Sequence, residues 1–258
     1  MQKPELIRDY ASDLRPDSWG EVCGQATAVR CLKHYCTTGR PPKAIAFIGP
    51  FGTGKSTLAR LTAMSLACSG RKDEDPDPCG RCDSCLGFTG SFHSFETMVI
   101  PPHVSENVFR GIIGSVRNYP GATMFSEIRR PVPVYIDDLD EHPKAHQQHL
   151  KRQLDGHWYG VVLAATTKPK HVEPGLLDRF QVFWLQPPEI PDLVGWIGSI
   201  GKRVGVGAIS EDAAATLARC GDMNHRDILK LMQMINAAGM NFSVEGVEKA
   251  ALMFGLRG

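Results

Sequence analysis

The residues with the clearest chemistry are Gly49-Pro50-Phe51-Gly52-Thr53-Gly54-Lys55-Ser56, which follow an apolar run at residues 44–48. Glycines in such a loop let backbone N–H groups turn toward an anion, and a following helix start favours negative charge. In this pattern the lysine reaches the β- and γ-phosphates, and the Ser56 hydroxyl binds Mg²⁺. The sequence therefore predicts an ATP or GTP site. Its predicted contacts are Gly49, Pro50, Gly52, Thr53, Gly54, Lys55, Ser56 and Thr57.

Two acidic residues, Asp137 and Asp138, end a second apolar run at residues 134–136. A carboxylate at the end of a neighbouring strand can complete the Mg²⁺ shell, and the next one can orient or activate the attacking water. We therefore assign Asp137 to Mg²⁺ and Asp138 to the water. Asp138 is one methylene shorter than the glutamate usual at this place, which predicts slow hydrolysis. The alternative is two solvated acids in a turn.

A third apolar run, at residues 161–165, ends in Thr166 and Thr167. Hydroxyls at the end of a strand beside the phosphate loop are placed to sense the γ-phosphate. Thr166 is therefore a catalytic candidate.

Four of the eight cysteines are clustered, as Cys68, Cys79, Cys82 and Cys85. Two overlapping Cys-x2-Cys steps put three thiolates around one point, and a fourth from the preceding helix completes a tetrahedral shell suited to Zn²⁺. A closed shell of this kind is architectural rather than catalytic. A redox dithiol is the alternative. The scattered cysteines are expected to be reduced; they are Cys23, Cys31, Cys36 and Cys220.

The composition is that of an ordinary globular protein, with 258 residues, 42% hydrophobic and 22% charged. A net charge of +1 gives no bulk attraction to nucleic acid, so any DNA contact must come from a local patch or several subunits. Apolar stretches fall short of the roughly 20 residues of a membrane span, and the N-terminus opens no apolar signal region. The cytoplasm is the expected compartment.

Strand and helix patterns alternate through the first part of the chain. Alternation of this kind predicts an α/β fold with a parallel sheet covered on both faces. Strands are predicted at residues 44–48, 97–100, 132–136, 160–165 and 181–185. Helices are predicted at residues 26–35, from the phosphate loop to 67, 105–117 and 144–154. Val108, Ile112 and Val116 are expected to share the buried face of one helix, and Pro133 to lie near the start of its strand.

After Pro187-Pro188 the strand patterns stop, and helices are predicted at residues 191–204, 210–218, 225–238 and 243–253. Ser210 and Ser243 are predicted to be N-cap residues of two of these helices. A core-facing stripe is predicted for Ile228, Leu231, Met232 and Ile235. We therefore predict an ATPase domain over residues 1–188, with a zinc module at about 68–87, and a small all-α domain over residues 189–258.

Several of these segments, in this order, resemble the gamma/tau subunit of bacterial DNA polymerase III, the AAA+ motor of the sliding-clamp loader. They are residues 14–25, the phosphate loop, the cysteine cluster, residues 134–138 and residues 163–169. The resemblance implies a P-loop AAA+ domain with a zinc insertion and a helical lid. It also implies ATP, Mg²⁺ and Zn²⁺ as cofactors. The implied partners are other loader subunits, the sliding clamp and primer-template DNA.

The same resemblance implies two further arginines. Arg179 matches the finger that reaches a neighbouring subunit's γ-phosphate, although Asp-Arg-Phe replaces the usual Ser-Arg-Cys. Arg226 matches a second sensor arginine of the lid, with two extra residues before it. The alternatives are a surface role for Arg179, a helix cap for Asp222 and a solvated face for Arg226.

DNA contacts in this family come from helices that line the interior of a spiral of subunits. The matching segments are residues 105–117 and 144–152, and their candidates for phosphate contacts are Arg110, Arg117, Lys144, Lys151 and Arg152. A solvated helix face is the alternative.

The family's helical collar has no counterpart before Gly258. A collarless subunit is expected to assemble through ATPase-domain contacts or a partner, and a truncated chain would look the same. Besides a clamp loader, two functions fit the sequence. One is a helicase loader or other replication-associated AAA+ ATPase, encoded by a phage or mobile element. The other is a nucleotide-gated adaptor that hydrolyses ATP poorly.

Overall fold

One parallel sheet lies at the centre of the computed structural model, which describes residues 9–72, 74–89, 98–118 and 131–255. The strands are β1 (Ala44–Ile48), β2 (Met98–Ile100), β3 (Pro133–Ile136), β4 (Val161–Thr166) and β5 (Gln181–Trp184). Their order across the sheet is β2-β3-β4-β1-β5. Every adjacent pair is parallel. Because parallel strands end at one edge, the residues that follow β1, β3 and β4 meet there.

Helices surround this sheet and continue beyond it. Those that precede or separate the strands are α1 (Tyr10–Asp13), α2 (Ala26–Thr38), α3 (Lys55–Ala67), α4 (Asp83–Thr89), α5 (Glu106–Asn118) and α6 (Lys144–Leu154). Those that follow β5 are α7 (Ile190–Val204), α8 (Glu211–Cys220), α9 (His225–Ala237) and α10 (Val244–Met253). No described helix is both long and apolar enough to cross a membrane.

Strand β1 lies inside the sheet and is buried on both faces, and its alternate residues enter two different cores. Ile45 and Phe47 pack in the core that includes Leu58 of α3. Ala44 and Ala46 pack in the core on the opposite face, with α5 and α6. A strand covered on both sides has to be apolar throughout, which explains the continuous apolar run before the phosphate loop.

A third core joins α7, α8, α9 and α10, and α1 contributes to it. The backbone N–H of Tyr10 donates to Gln233 Oε1 at 3.0 Å, and Asn236 Nδ2 donates to the Tyr10 hydroxyl at 2.7 Å. The start of the described chain is therefore attached to the helices that follow the sheet. The domain boundary near residue 188 stays a prediction.

The α/β prediction with a parallel sheet is confirmed, and each predicted strand is present with ends that differ by at most one residue. Residue 97 lies outside the described residues. Pro133 is the first residue of β3, as predicted. Ser210 and Ser243 accept hydrogen bonds as caps of α8 and α10. The predicted stripe on α9 is buried, at Ile228, Leu231, Met232 and Ile235.

The prediction of which residues form the buried face of α5 is wrong for Val108. Val108 is 51% exposed, whereas Phe109, Ile113 and Val116 are buried. These three positions have the i, i+4, i+7 spacing of one helix face, and Val108 lies to the side of it. The aromatic ring rather than the valine therefore faces the sheet.

Candidate functional site

A cavity opens at the edge of the sheet where β1 and β3 end, and helices of the third core close its other side. The cavity brings together the phosphate loop, the acidic pair and parts of α7 and α9. The lining residues include Arg15, Gly52, Gly54, Lys55, Ser56, Thr57, Asp137, Asp138, Thr167, Trp196, His225 and Arg226.

The phosphate loop has the backbone that its glycines permit. Gly52 and Gly54 have φ of +74° and +93°, and Gly54 is the residue directly before α3. A Cβ atom at Gly52 would lie 1.8 Å from Asn224 Oδ1, and one at Gly49 would lie 2.4 Å from the Leu185 carbonyl oxygen. Glycine is therefore required at position 54 by conformation, at position 49 by a close neighbour, and at position 52 by both.

Lys55 lies inside this loop and is 7% exposed. Its Nζ donates to the carbonyl oxygens of Gly49 at 2.9 Å and Pro50 at 2.6 Å. Burial lowers the pKa of Lys55, while the charges of Asp138 and Asp137 act in the opposite direction. The ammonium group is therefore held at the loop, next to the two carboxylates.

Asp137 and Asp138 follow β3 and both line the cavity. The Tyr135 hydroxyl donates to Asp137 Oδ1 at 2.5 Å, and the backbone N–H of Asp138 donates to the same oxygen at 3.2 Å. Burial, and then the charge of Asp137, raises the pKa of Asp138. Asp138 also has a left-handed backbone, with φ of +44°. The pair is thus a constrained feature facing the phosphate loop rather than two freely solvated acids.

The two threonines at the end of β4 differ in what they face. Thr166 is fully buried, and its hydroxyl donates to Asp140 Oδ1 at 2.5 Å and accepts from the Lys168 backbone N–H at 3.1 Å. Thr167 lines the cavity, but Thr166 does not. The structure therefore places Thr167, and not the catalytic candidate Thr166, at the site.

Arg179 is away from this cavity and is bound to Asp155. Its Nε and Nη2 atoms donate to the two carboxylate oxygens of Asp155 at 2.7 and 2.9 Å. Hydrogen bonding to Arg179 lowers the pKa of Asp155. A role at a neighbouring subunit's nucleotide would require this exposed ion pair to open.

Arg226 reaches the cavity from the first turn of α9 and is exposed. The helix cap is Asn224, whose Oδ1 accepts from the backbone N–H of Arg226 at 2.9 Å, so the alternative that Asp222 caps the helix is wrong. His225 Nδ1 donates to the Gly52 carbonyl oxygen at 2.9 Å. The residue directly before Arg226 thus connects α9 to the phosphate loop.

The lining residues missed as candidates include Arg15, Trp196 and His225. Burial, and then the charges of Arg60 and Arg226, lowers the pKa of Arg15. The His225 and Trp196 rings meet edge to face with centroids 4.7 Å apart. A single arginine between a leucine and a proline is a weak sequence signal, and the other two depend on long-range packing.

Most candidate DNA contacts are engaged within the chain. Arg110 pairs with Glu106, and Arg117 donates to Gln153 and to the His157 carbonyl oxygen. Lys144 and Lys151 donate to the carbonyl oxygens of His171 and Pro174. The structure places all five candidates, Arg152 included, on α5 and α6, which lie side by side.

The four clustered cysteines meet at the far end of α3 from the phosphate loop. Their Sγ atoms all lie within 4.8 Å of one another. The Sγ atoms of Cys68 and Cys82 are 3.8 Å apart, which is close to the S···S separation expected around tetrahedral zinc. Burial raises the pKa of Cys68 and Cys85, whereas at Cys82 hydrogen bonds from Cys85 and Ser69 outweigh burial and lower the pKa to about 6. The donor set therefore fits a thiolate-bound metal.

The scattered cysteines are free thiols in the structure. Burial raises the pKa of both Cys23 and Cys36 to about 12, which leaves their thiols unreactive at neutral pH.

The chain is similar to known proteins in both sequence and fold. The family described as "DNA polymerase III, delta subunit" matches residues 24–108. The DNA polymerase III subunit gamma of Buchnera aphidicola is 23% identical, over 94% of this chain and 64% of that protein. The DNA polymerase III subunit gamma/tau of Mycobacterium bovis is 27% identical over 93% of this chain. The subunit tau of Bacillus subtilis is 26% identical over 90% of this chain. In each case the match covers 40% of the relative's length. The chain thus spans less than two thirds of each.

Among solved structures, a mutant of Thermotoga maritima RuvB superposes with a TM-score of 0.69 at 17% identity, over 94% of this chain and 74% of that one. The T. maritima RuvB Holliday junction branch migration motor gives a TM-score of 0.66 at 18% identity, over 93% and 72%. Likeness at this level shows a shared fold.

Proposed function

We propose, on the premise that the chain is a gamma/tau-like AAA+ protein, that it is the ATP-dependent motor subunit of a DNA sliding-clamp loader. It binds ATP with Mg²⁺ and acts on the clamp and primer-template DNA during replication, in the cytoplasm. Other AAA+ loader subunits, identical or different, are its partners. ATP binding closes the assembly around clamp and DNA, and hydrolysis releases it.

The observation that carries this proposal is the meeting of Lys55, Asp137 and Arg226 at one cavity from three separate parts of the chain. The loop N–H groups and Lys55 would hold the β- and γ-phosphates. Arg226 would contact the nucleotide from the lid helix α9. Lys55 and Arg226 supply anion recognition at this cavity, and Asp137 supplies a carboxylate.

The Mg²⁺ ligands within the chain are the Ser56 hydroxyl and the Asp137 carboxylate, both of which line the cavity. Hard oxygen donors of this kind suit Mg²⁺. The bound ion would neutralise charge on the phosphates. Tyr135 orients the Asp137 carboxylate by its hydroxyl. Asp138 orients or deprotonates the attacking water.

Around this centre, Arg179 acts on the nucleotide of a neighbouring subunit, and phosphate contacts to DNA come from Arg110, Arg117, Lys151 and Arg152. The finger role would require the Arg179 guanidinium to leave Asp155 and the Gly175 carbonyl oxygen, and the exposed Asp155 carboxylate can be solvated when it does. The DNA role fits the position of all four basic residues on the adjacent helices α5 and α6.

A structural Zn²⁺ is held by Cys68, Cys79, Cys82 and Cys85. Cys68 directly follows α3, and Cys85 is in α4, so the metal would fasten these two helices together. With four thiolates its shell is closed, which gives it no part in hydrolysis.

Zinc removal is expected to destabilise the protein, because a structural metal contributes its binding energy to folding. Purified protein should contain one zinc per chain by mass spectrometry. Chelation, or Cys82→Ser, should lower the Tm by about 5–10 °C, the effect of roughly 2–4 kcal/mol on a chain of this size. Cys31→Ser, outside the cluster, is the matched control. A protein that contains no zinc as purified, and whose Tm does not change on chelation, would contradict the proposed zinc site.

Replacement of Asp138 by glutamate is expected to raise ATP turnover about tenfold, which corresponds to a barrier lower by about 1.4 kcal/mol. The added methylene extends the carboxylate toward the attacking water. Steady-state kcat and KM for ATP would be compared with those of Asp138→Asn, which should be slower than the wild type. A rate for Asp138→Glu at or below that of Asp138→Asn would show that residue 138 does not act on the water.

The short carboxylate of Asp138 favours a second candidate, a nucleotide-gated adaptor that binds ATP tightly and turns it over poorly. A helicase loader is the remaining alternative, and it predicts a response to single-stranded DNA and a helicase. Each alternative uses the same ATP-binding cavity but differs in which partner stimulates ATP turnover.

ATP turnover measured alone, with primed DNA, with the cognate sliding clamp and with both tests the clamp-loader proposal. Joint stimulation of about tenfold or more, beyond either component alone, is expected. Stimulation by single-stranded DNA and helicase instead would favour the helicase loader. Tight ATP binding without turnover under any condition would favour the adaptor.

A further inference from the structure

The turn that carries Asp138 has a backbone that needs support. Asp138 has φ of +44° and ψ of 57°, in the left-handed region. A non-glycine residue is strained there, although aspartate tolerates it better than most. Such a conformation persists only when neighbouring groups hold it. The backbone N–H of Glu141 donates to the Asp138 carbonyl oxygen at 2.8 Å and holds the peptide after the residue.

His142 holds the peptide before it. His142 Nε2 lies 3.1 Å from the Asp137 carbonyl oxygen, which belongs to the peptide joining Asp137 to Asp138. A carbonyl oxygen only accepts, so Nε2 carries the hydrogen and donates. The direction of that peptide sets where the Asp138 side chain begins. This contact therefore bears directly on the carboxylate assigned to the water.

The imidazole ring is itself fixed in one place. It is 3% exposed, and its Nδ1 lies 3.4 Å from His146 Nδ1. Since Nε2 donates to the carbonyl, Nδ1 is free to accept from His146. Burial lowers the pKa of His142 to about 4, which keeps the ring neutral and in this single tautomer at neutral pH. Gln147 Nε2 also donates to the His142 carbonyl oxygen at 2.8 Å.

The second ring of this arrangement is held by α5. His146 stacks on Phe109 with centroids 4.3 Å apart and planes 5° from parallel. Phe109 is 1% exposed in the core beneath the sheet. The His142 ring therefore has a buried support on the side away from the Asp137 carbonyl.

Two histidine nitrogens this close together can also bind a metal, and the structure argues against that reading. A stable site needs at least three ligands. Among the described ranges, only the cysteine cluster gathers three or more His, Cys, Asp or Glu ligand atoms closely enough. The His142 and His146 nitrogens are thus best explained as a hydrogen-bonded pair.

We propose that His142 is a positioning residue for ATP hydrolysis, which fixes the Asp137–Asp138 peptide so that the Asp138 carboxylate faces the nucleotide. This inference rests on the proposed ATPase function. It assigns to His142 an effect on the chemical step and none on nucleotide binding, because the residue does not line the cavity.

The test compares His142→Leu, which removes the donor, with His142→Gln, whose amide N–H can still donate to the Asp137 carbonyl. His142→Leu should lower kcat about ten- to a hundredfold with the ATP Kd within about twofold of the wild type, as expected for a misplaced catalytic group. His142→Gln should recover most of the loss. If the leucine variant fails to fold, His142→Asn, whose shorter amide does not reach the carbonyl, replaces it.

A double-mutant cycle shows whether His142 acts through Asp138. In an Asp138→Ala background, His142→Leu should cause no further loss of kcat, since the group it positions is absent. Equal losses in both backgrounds, an unchanged kcat, or a parallel loss of ATP affinity would each overturn the inference. If the wild-type chain hydrolyses ATP and the His142 variants have the same kcat, only the positioning role of His142 is contradicted. A wild-type chain without turnover would defeat the proposed ATPase as well.

Discussion

Replacement of Lys55 by alanine is expected to lower ATP turnover by on the order of 100- to 1000-fold, the range seen when one donor to a developing charge is removed. The side chain is 7% exposed, and its Nζ already bonds the carbonyl oxygens of Gly49 and Pro50 within the phosphate loop. Its replacement would remove the positive charge that faces the phosphates and Asp138. Turnover would be followed by phosphate release at saturating ATP.

The matched control is Lys202→Ala, which removes an exposed lysine of α7 away from the cavity and should leave turnover unchanged. Circular dichroism and Tm would show that both variants fold. A folded Lys55→Ala protein with wild-type turnover would remove the phosphate-loop assignment.

Replacement of Arg179 by alanine is expected to lower turnover of the assembled protein by on the order of 1000-fold, as expected for an arginine finger. The effect should appear only in the assembly, because Arg179 does not line the cavity of its own chain. Nucleotide affinity of the isolated chain should stay at the wild-type value. Turnover would be measured with the partner subunits, clamp and primed DNA present.

Two controls are needed. One shows whether the loss of turnover comes from the missing guanidinium or from the broken ion pair, and the other shows whether Arg179 acts on a neighbouring subunit. Asp155→Asn weakens the pairing but keeps Arg179, and should retain turnover. Mixing Lys55→Ala with Arg179→Ala should restore part of the activity that each lacks, since one subunit supplies the finger and the other the phosphate loop. No restoration in a mixed assembly, together with an equal loss in the isolated chain, would show that Arg179 does not act in trans.

The parts of the molecule that the sequence predicted well depend on short-range patterns. β1 is apolar at every position because both of its faces are covered, and the loop after it has a fixed spacing. The cysteine cluster follows from Cys-x2-Cys steps that place the thiols around one point. In both cases neighbours in the sequence are also neighbours in space.

The rest depends on side-chain direction and distant partners. Thr166 and Thr167 are adjacent, and only the structure shows which hydroxyl faces the cavity. Arg179 meets Asp155 across 24 residues, and His225 meets Gly52 across 173 residues. His142 lies in a polar stretch of the sequence and belongs to no recognisable motif, because the carbonyl it bonds carries no sequence signal. Such contacts arise from packing that residue patterns do not encode.

Titration of the wild-type chain with ATP, with and without Mg²⁺, tests whether the cavity binds nucleotide. We expect one site per chain, with a Kd on the order of 10 µM that rises when Mg²⁺ is withheld. A folded protein that binds no ATP at millimolar concentration would contradict the proposed ATP site, whatever its partners.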